Sequence, residues 1–217
     1  MVVHQDLAAQ VYEVLKDKIL RGELRPGQKL AQDELAETLG VSRTPLLSAL
    51  HKLENEMLVS SPPRRGFVVR QLSWDDLLDV YDLRLRLEPL GAAEAAVIAS
   101  QAEIDELVAL CDAFDNLANS DQEDEIKVAD YRLHMQIMKM SGNAILHSIV
   151  SSFNLMLIAN LEGLFKPPQR SAEQHRSIIR AIRSRDSRRA EQTMHFHIEE
   201  SREEIVRRKE KAENGTH

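Results

Sequence analysis

Glycine and proline punctuate the front of this chain and then thin out. Gly22, Pro26, Gly27, Gly40, Pro45, Pro62, Pro63 and Gly66 all fall before residue 70. Glycine interrupts regular structure through backbone freedom, proline through its fixed φ and missing N–H. No element of that stretch can be long. Past residue 73, apolar residues recur at helical spacing over extended spans. The 217 residues therefore read as two domains, 1–72 made of short elements and 73–217 made of helices. The expected fold class is mainly α, with one small β-hairpin.

In the first domain, a helix from Gln5 to Arg21 sets Leu7, Val11, Val14, Leu15 and Ile19 at helical spacing, and Gly22 ends it. Leu24 to Leu30 is a turn with a short extended piece. A helix over Gln32–Leu39 is closed by Gly40. Another runs from Arg43 to Glu56, with Ser42 at its N-cap. Two β-prone runs in Leu58–Val69 flank Pro62, Pro63, Arg64, Arg65 and Gly66, which predicts a hairpin with a basic tip. Helix, turn, helix and basic hairpin in this order describe a winged helix-turn-helix. The second domain reads as an all-α bundle of about six helices, spanning about 73–99, 102–119, 122–141, 143–165, 169–185 and 187–210.

A net charge of −7 looks wrong for a nucleic-acid binder, but the charge is uneven. Residues 1–72 carry ten Lys/Arg and nine Asp/Glu, about +1, and the acidity lies in the remainder. Screening confines a surface field to about 10 Å, so a small basic face on an acidic protein still binds phosphates. The third helix would enter the major groove of double-stranded operator DNA. Arg43 at its start can reach guanine O6 and N7, and Ser42 and Thr44 can donate to phosphates. At the wing, Arg64 and Arg65 beside Gly66 can follow the backbone or enter the minor groove.

The helical domain holds a different chemistry. Asp130 and His134 stand four apart and share a helix face. His175 and His197 lie on two further helices, each beside apolar neighbours. A carboxylate and three imidazoles from three helices can close an O/N metal site in a bundle. Equally, each histidine alone can be an ordinary core or surface residue. The single cysteine, Cys111, excludes an internal disulfide and reads as a buried thiol.

Two stretches carry a resemblance. The turn "GELRPG", then "LGVSRTP" and "RRGFVV", lie in order within Ile19–Val69, and this stretch resembles the GntR family of bacterial regulators. The family pattern has an arginine where this chain has Leu47 and a glycine where it has Met57. "LRLRLEPLGAAEAA", "DYRLHMQIMKMSGNAIL" and "EQHRSIIRAIRSRDSRRAEQTMHFHI" resemble the FCD ligand-binding domain of the FadR-like subfamily. That resemblance implies metal ligands at Asp130, His134, His175 and His197, and excludes His195, two residues off on another face. It also places Arg84 near the effector cavity; a plain alternative for Arg84 is a salt bridge to Glu88, four residues on, worth about 0.3–0.5 kcal/mol if exposed. Asn154 faces the same bundle in this helical reading.

The expected protein is a bacterial DNA-binding repressor and not an enzyme. It would be a homodimer, carrying a divalent metal, zinc first and nickel, manganese or iron as the others. A small carboxylate bound at that metal would modulate operator binding. Three rival readings use the same residues: a regulator with a purely structural metal and its ligand elsewhere, a regulator for which the metal itself is the signal, and a metal-dependent enzyme in which an open position activates water. The last lacks a further acid or base. No apolar run approaches the roughly 18 residues of a membrane span, and Met1–Leu7 carries His4, Gln5 and Asp6 where a signal peptide is basic and apolar. The cytoplasm is the expected location.

Overall fold

The computed structural model describes residues 7–152 and 163–214. The chain divides into two compact units, Met1–Gln71 and Leu72–His217.

In the first unit, α1 (Leu7–Leu20) buries Val11, Tyr12, Leu15 and Ile19 against α3 (Arg43–Asn55). From α3 come Leu46, Ala49, Leu50 and Leu53, the a/d-like face of an amphipathic helix. Between them, α2 (Gln32–Leu39) ends at Gly40, whose φ of 63° is the left-handed turn that glycine adopts without cost. The Gly40 N–H donates to the Glu37 carbonyl and the Val41 N–H to that of Ala36. Ser42 occupies the N-cap of α3 in extended conformation, but its hydroxyl makes no capping bond. The wing is an antiparallel pair, β1 (Val59–Ser60) and β2 (Val68–Val69), with Val59 opposite Val69. Lys29 adds a bridge to Val68, so the extended piece after the "RPG" turn forms a third edge. Positive φ at Arg64 (66°) and Gly66 (71°) reverses the chain at the tip.

In the second unit, six helices lie among the described residues: α4 (Trp74–Ile98), α5 (Gln101–Leu117), α6 (Glu123–Met140), α7 (Ala144–Ser152), α8 (Pro168–Arg183) and α9 (Ser187–Asn214). Capping boxes start α4 and α5: Ser73 with Asp76, and Ser100 with Glu103. Packed against one another are α4 and α9, α5 and α6, α5 and α8, and α8 and α9, while α4 also touches α6 and α8. The expected helix over 143–165 is described over Ala144–Ser152, residues 153–162 lie outside the described residues, and its end is corrected: Gly163, at φ 96°, is outside the helical region and 164–167 are not helical. The next described helix starts at Pro168, with proline at its first turn.

Most of the buried polar side chains described in this bundle gather in one place. Arg84 and Glu88 of α4, His134 of α6, His175 of α8 and His197 of α9 are all buried there. Helix periodicity alone delivers them: each sits on the core-facing stripe of its helix.

Candidate functional site

Four helices converge on this polar spot. Asp130, His134, His175 and His197 each offer one ligand atom, and those atoms all lie within 4.8 Å of one another. The Nε2 atoms of His134 and His197 are 3.2 Å apart. Asp130 Oδ1 is 3.7 Å from His134 Nε2 and 3.4 Å from His175 Nε2. The three imidazoles are buried, and Asp130 is half-buried. By contrast His195, 40% exposed, faces Glu199 on the other side of α9.

The outer nitrogens show how the rings are turned. His134 Nδ1 lies 2.5 Å from Glu88 Oε2. Burial pushes the Glu88 carboxyl up, but Arg84 and His134 outweigh it and hold the group at about 2. Glu88 is thus an acceptor for His134 Nδ1, and His134 Nε2 faces inward. At His197 Nδ1, Gln174 Oε1 and Lys166 Nζ each lie 3.0 Å away, the Gln174 Nε2 being turned to donate to Glu200 at 2.6 Å. Two ring nitrogens and a carboxylate oxygen then point at one spot, an arrangement suited to a cation. His175 shows the same need differently. Neither of its nitrogens has a hydrogen-bond partner among the described residues. A wholly buried imidazole in that state loses its hydration for nothing in return. Burial lowers its pKa to about 3, and that of His197 falls well below the ordinary value for the same reason, so both rings are neutral, as ligands must be. The donor set, one oxygen and three nitrogens, suits a first-row divalent ion.

Arg84 is not at the surface. It is 3% exposed, donates to Glu88 through Nε, and lies over the Tyr81 ring at 4.7 Å. The Arg84–Glu88 ion pair is present, and it is buried, as a link between Tyr81 and His134. Arg84 also lines a cavity of about 20 Å³ together with Asp130, Lys166, Ser171, His197 and Ser201. That volume is near one water molecule. A larger groove, about 670 Å³, opens on the far side of Leu164, Phe165 and Lys166, which line both spaces.

The sequence singles out neither Lys166, which falls between two expected helices, nor Gln174. Lys166 Nζ donates to Gln174 Oε1 and to the His197 carbonyl, each at 2.6 Å. Burial lowers its pKa to about 7 against the opposing pull of Glu200 and Asp130. For Gln174 the sequence held a hint, since it precedes His175; for Lys166 it held none. Asn154 lies outside the described residues.

The expected nucleic-acid face is on the other unit. Ser42, Arg43 and Thr44 at the start of α3 are exposed, as are Arg64, Arg65 and Gly66 at the wing tip. Arg43 Nη2 pairs with Asp33 Oδ1 of α2 at 2.6 Å, both side chains being more than two-thirds exposed. Leu47 is half-buried, on the side of α3 turned partly toward the core.

Residues 7–69 match the model of the bacterial regulatory proteins of the gntR family, and residues 79–200 match the FCD domain. An uncharacterized HTH-type transcriptional regulator of Bacillus subtilis, YdhC, is 25% identical over 87% of this chain and 86% of its own. The HTH-type transcriptional repressor GlaR of Escherichia coli is 25% identical over 86% of this chain and 90% of its own. The fold of McbR/YncC from E. coli superposes with a TM-score of 0.79 at 23% identity, covering 96% of this chain and 99% of that one.

Proposed function

This chain belongs to the gntR family of bacterial regulatory proteins and carries an FCD domain, and from that premise we propose that a small organic acid, bound at a divalent metal in the helical unit, modulates its operator binding. It is a DNA-binding transcription regulator and not an enzyme. The observation that carries the finer reading is the inward convergence of three buried imidazoles and the Asp130 carboxylate, with neither His175 nitrogen hydrogen-bonded among the described residues.

Asp130, His134, His175 and His197 would hold the ion, zinc first among candidates, with nickel, manganese and iron next. Bound there, it supplies an open coordination position for a carboxylate. Glu88 and Gln174 would hold the His134 and His197 rings in the ligating tautomer. A doubly charged cation with one carboxylate and neutral imidazoles leaves about one positive charge in a buried place, which an anion relieves. Arg84 and Lys166 line the adjoining cavity and are the side chains to receive the remaining oxygens. At about 20 Å³ that cavity must widen before any organic acid enters. The same small volume favours a second reading, in which the metal alone is the signal.

At the DNA, Arg43 with Ser42 and Thr44 would read the major groove, and Arg64 and Arg65 with Gly66 would follow the adjacent backbone. A single winged helix covers one half-site, so the regulator would act as a homodimer on a two-fold operator. It would act as a repressor, as the relative GlaR is named, and in the cytoplasm, where the DNA is.

Elemental analysis of purified variants tests the metal site. About one metal per chain is expected, lowered by His134→Ala, His175→Ala and His197→Ala and retained in His195→Ala. Loss in His195→Ala with retention in His197→Ala overturns the assignment. Operator binding with and without a chelator, and with a panel of carboxylates, separates the two signals.

A further inference from the structure

The turn between α8 and α9 gathers a charge that the rest of the chain does not share. Six arginines and one acid, Asp186, stand between residues 176 and 189, in a chain whose net charge is −7. No lysine is among them. Two of the six are engaged by the bundle itself. Arg176 pairs with Asp115 of α5 at 2.7 Å, and Arg185 Nη1 donates to the Ala96 carbonyl near the end of α4 at 3.5 Å. Asp186 is engaged as well: its Oδ1 accepts from the Arg189 backbone N–H at 3.0 Å, at the start of α9.

Arg180, Arg183, Arg188 and Arg189 remain. All four are exposed, and none forms an ion pair among the described residues. Arg180 Nη2 donates to Ser177 Oγ at 2.8 Å; the other three guanidinium groups make no hydrogen bond among the described residues. Arg180 and Arg183 lie in the last turn of α8, where the carbonyl end of a helix favours a cation. Arg188 and Arg189 lie in the first turn of α9, where free N–H groups disfavour one. Like charges brought together from both sides of a turn also repel. Helix stability therefore accounts for the α8 pair and not for the α9 pair.

Three of these side chains share a hollow. Arg180 and Arg183, one turn apart on α8, and Arg189 on α9 line a cavity of about 480 Å³ with Ala181 and Ser184. Nothing aromatic and nothing large and apolar lines it, so it has no surface for a ring or an acyl chain. Charge and hydrogen bonds alone select its ligand. The planar guanidinium presents paired N–H donors that match the oxygens of phosphate or carboxylate. Three guanidinium groups around one hollow have more donors than a single carboxylate can accept, whereas linked phosphates offer oxygens to each. A nucleic-acid backbone carries phosphates too, but one per nucleotide along an extended strand. A hollow walled from two helices fits the adjacent phosphates of a short chain.

We propose that the α8–α9 turn binds a small oligophosphate, two or three linked phosphate groups, between Arg180, Arg183 and Arg189. None of its lining residues lines the cavity beside Asp130 and His197, so the site is separate from the metal cluster and takes a second anion. The test is calorimetry on the full-length chain with inorganic tripolyphosphate as the probe, at one fixed salt concentration. Metal content is measured before and after, because the probe also chelates metals. The parent should bind about one probe per chain. Arg183→Gln and Arg189→Gln should each raise the dissociation constant about tenfold, as expected for losing a charge-assisted contact, with unchanged melting temperatures. Arg65→Ala, at the wing, and His175→Ala, in the metal cluster, should bind the probe like the parent. A parent that binds no tripolyphosphate, or Gln variants that bind it like the parent, would overturn the site. So would heat that tracks metal release. Citrate binding as tightly as tripolyphosphate would overturn the ligand class. Gln variants that lose affinity for non-operator duplex as steeply as for the probe would make the turn a nucleic-acid contact instead.

Discussion

Among single residues, Glu88 does the most and was the least visible. At sequence level it stood four residues from Arg84, a spacing that fits an exposed helix pair as well as a buried one. Burial decides which, and burial depends on α6, α8 and α9 arriving at that face of α4. The four candidate ligands were legible because their residue types are rare on apolar stripes; their supports, Glu88, Gln174 and Lys166, are ordinary polar residues whose role exists only in three dimensions. Glu88→Gln keeps the shape and removes the charge. It should lower metal affinity about 10–100-fold, since the His134 ring loses its anionic partner. It should also cost about 3–5 kcal/mol of stability, because Arg84 stays buried without its counter-charge. Chelator competition and thermal melting read the two effects separately; an unchanged metal affinity with a lowered melting point would make Glu88 a counter-ion for Arg84 alone. Cys111 makes a simpler case. Burial and the nearby Asp115 push its thiol up to about 12. Thiolate is the reactive form, so at neutral pH Cys111 should react with a thiol reagent about a thousandfold more slowly in the native protein than in denaturant. Comparable rates would mean that the α5 face it sits on opens readily.

Elements were more legible than supports, and unevenly so. The helices and hairpin of the first unit follow from where glycine and proline stand, because Gly40 and Gly66 occupy backbone conformations that other residues avoid. Capping boxes at Ser73 and Ser100 mark the starts of α4 and α5 within a residue or so. The end of the expected helix over 143–165 was set too late, because periodicity carries no information about the positive φ at Gly163. Docking of α3 and the wing is an element-scale prediction. Arg43→Ala should cost about 1–3 kcal/mol of operator affinity and relax base preference at one position. Arg65→Ala should weaken binding to every duplex about equally and reduce the salt slope by about one unit. Footprinting and salt titrations check both, and an unchanged footprint with Arg43→Ala would remove α3 from the groove. Asp33 already holds the Arg43 guanidinium in the free protein. That exposed pair contributes little to stability, but breaking it is part of what binding DNA would cost.

For the whole molecule the question is how a ligand held in the unit Leu72–His217 reaches DNA held by the unit Met1–Gln71. Net charge gives no route, since screening fades a field within about 10 Å. Thermodynamics gives a constraint that holds for any route: if the acid changes operator affinity by some factor, the operator changes acid affinity by the same factor. The acid must therefore prefer one arrangement of the dimer, and DNA must prefer the same or the other. Helix α4 is the element suited to carry that preference. It starts at Trp74, just after the first unit ends in sequence, and holds Arg84 and Glu88 on its inner face. A carboxylate drawing Arg84 away from Glu88 would act on that helix. For a repressor released by its ligand, calorimetry at one fixed salt concentration should find the acid binding about 5–150-fold more weakly to the operator complex than to free protein. Operator titrations with and without acid should give the same factor. Stripping the metal should abolish both effects together.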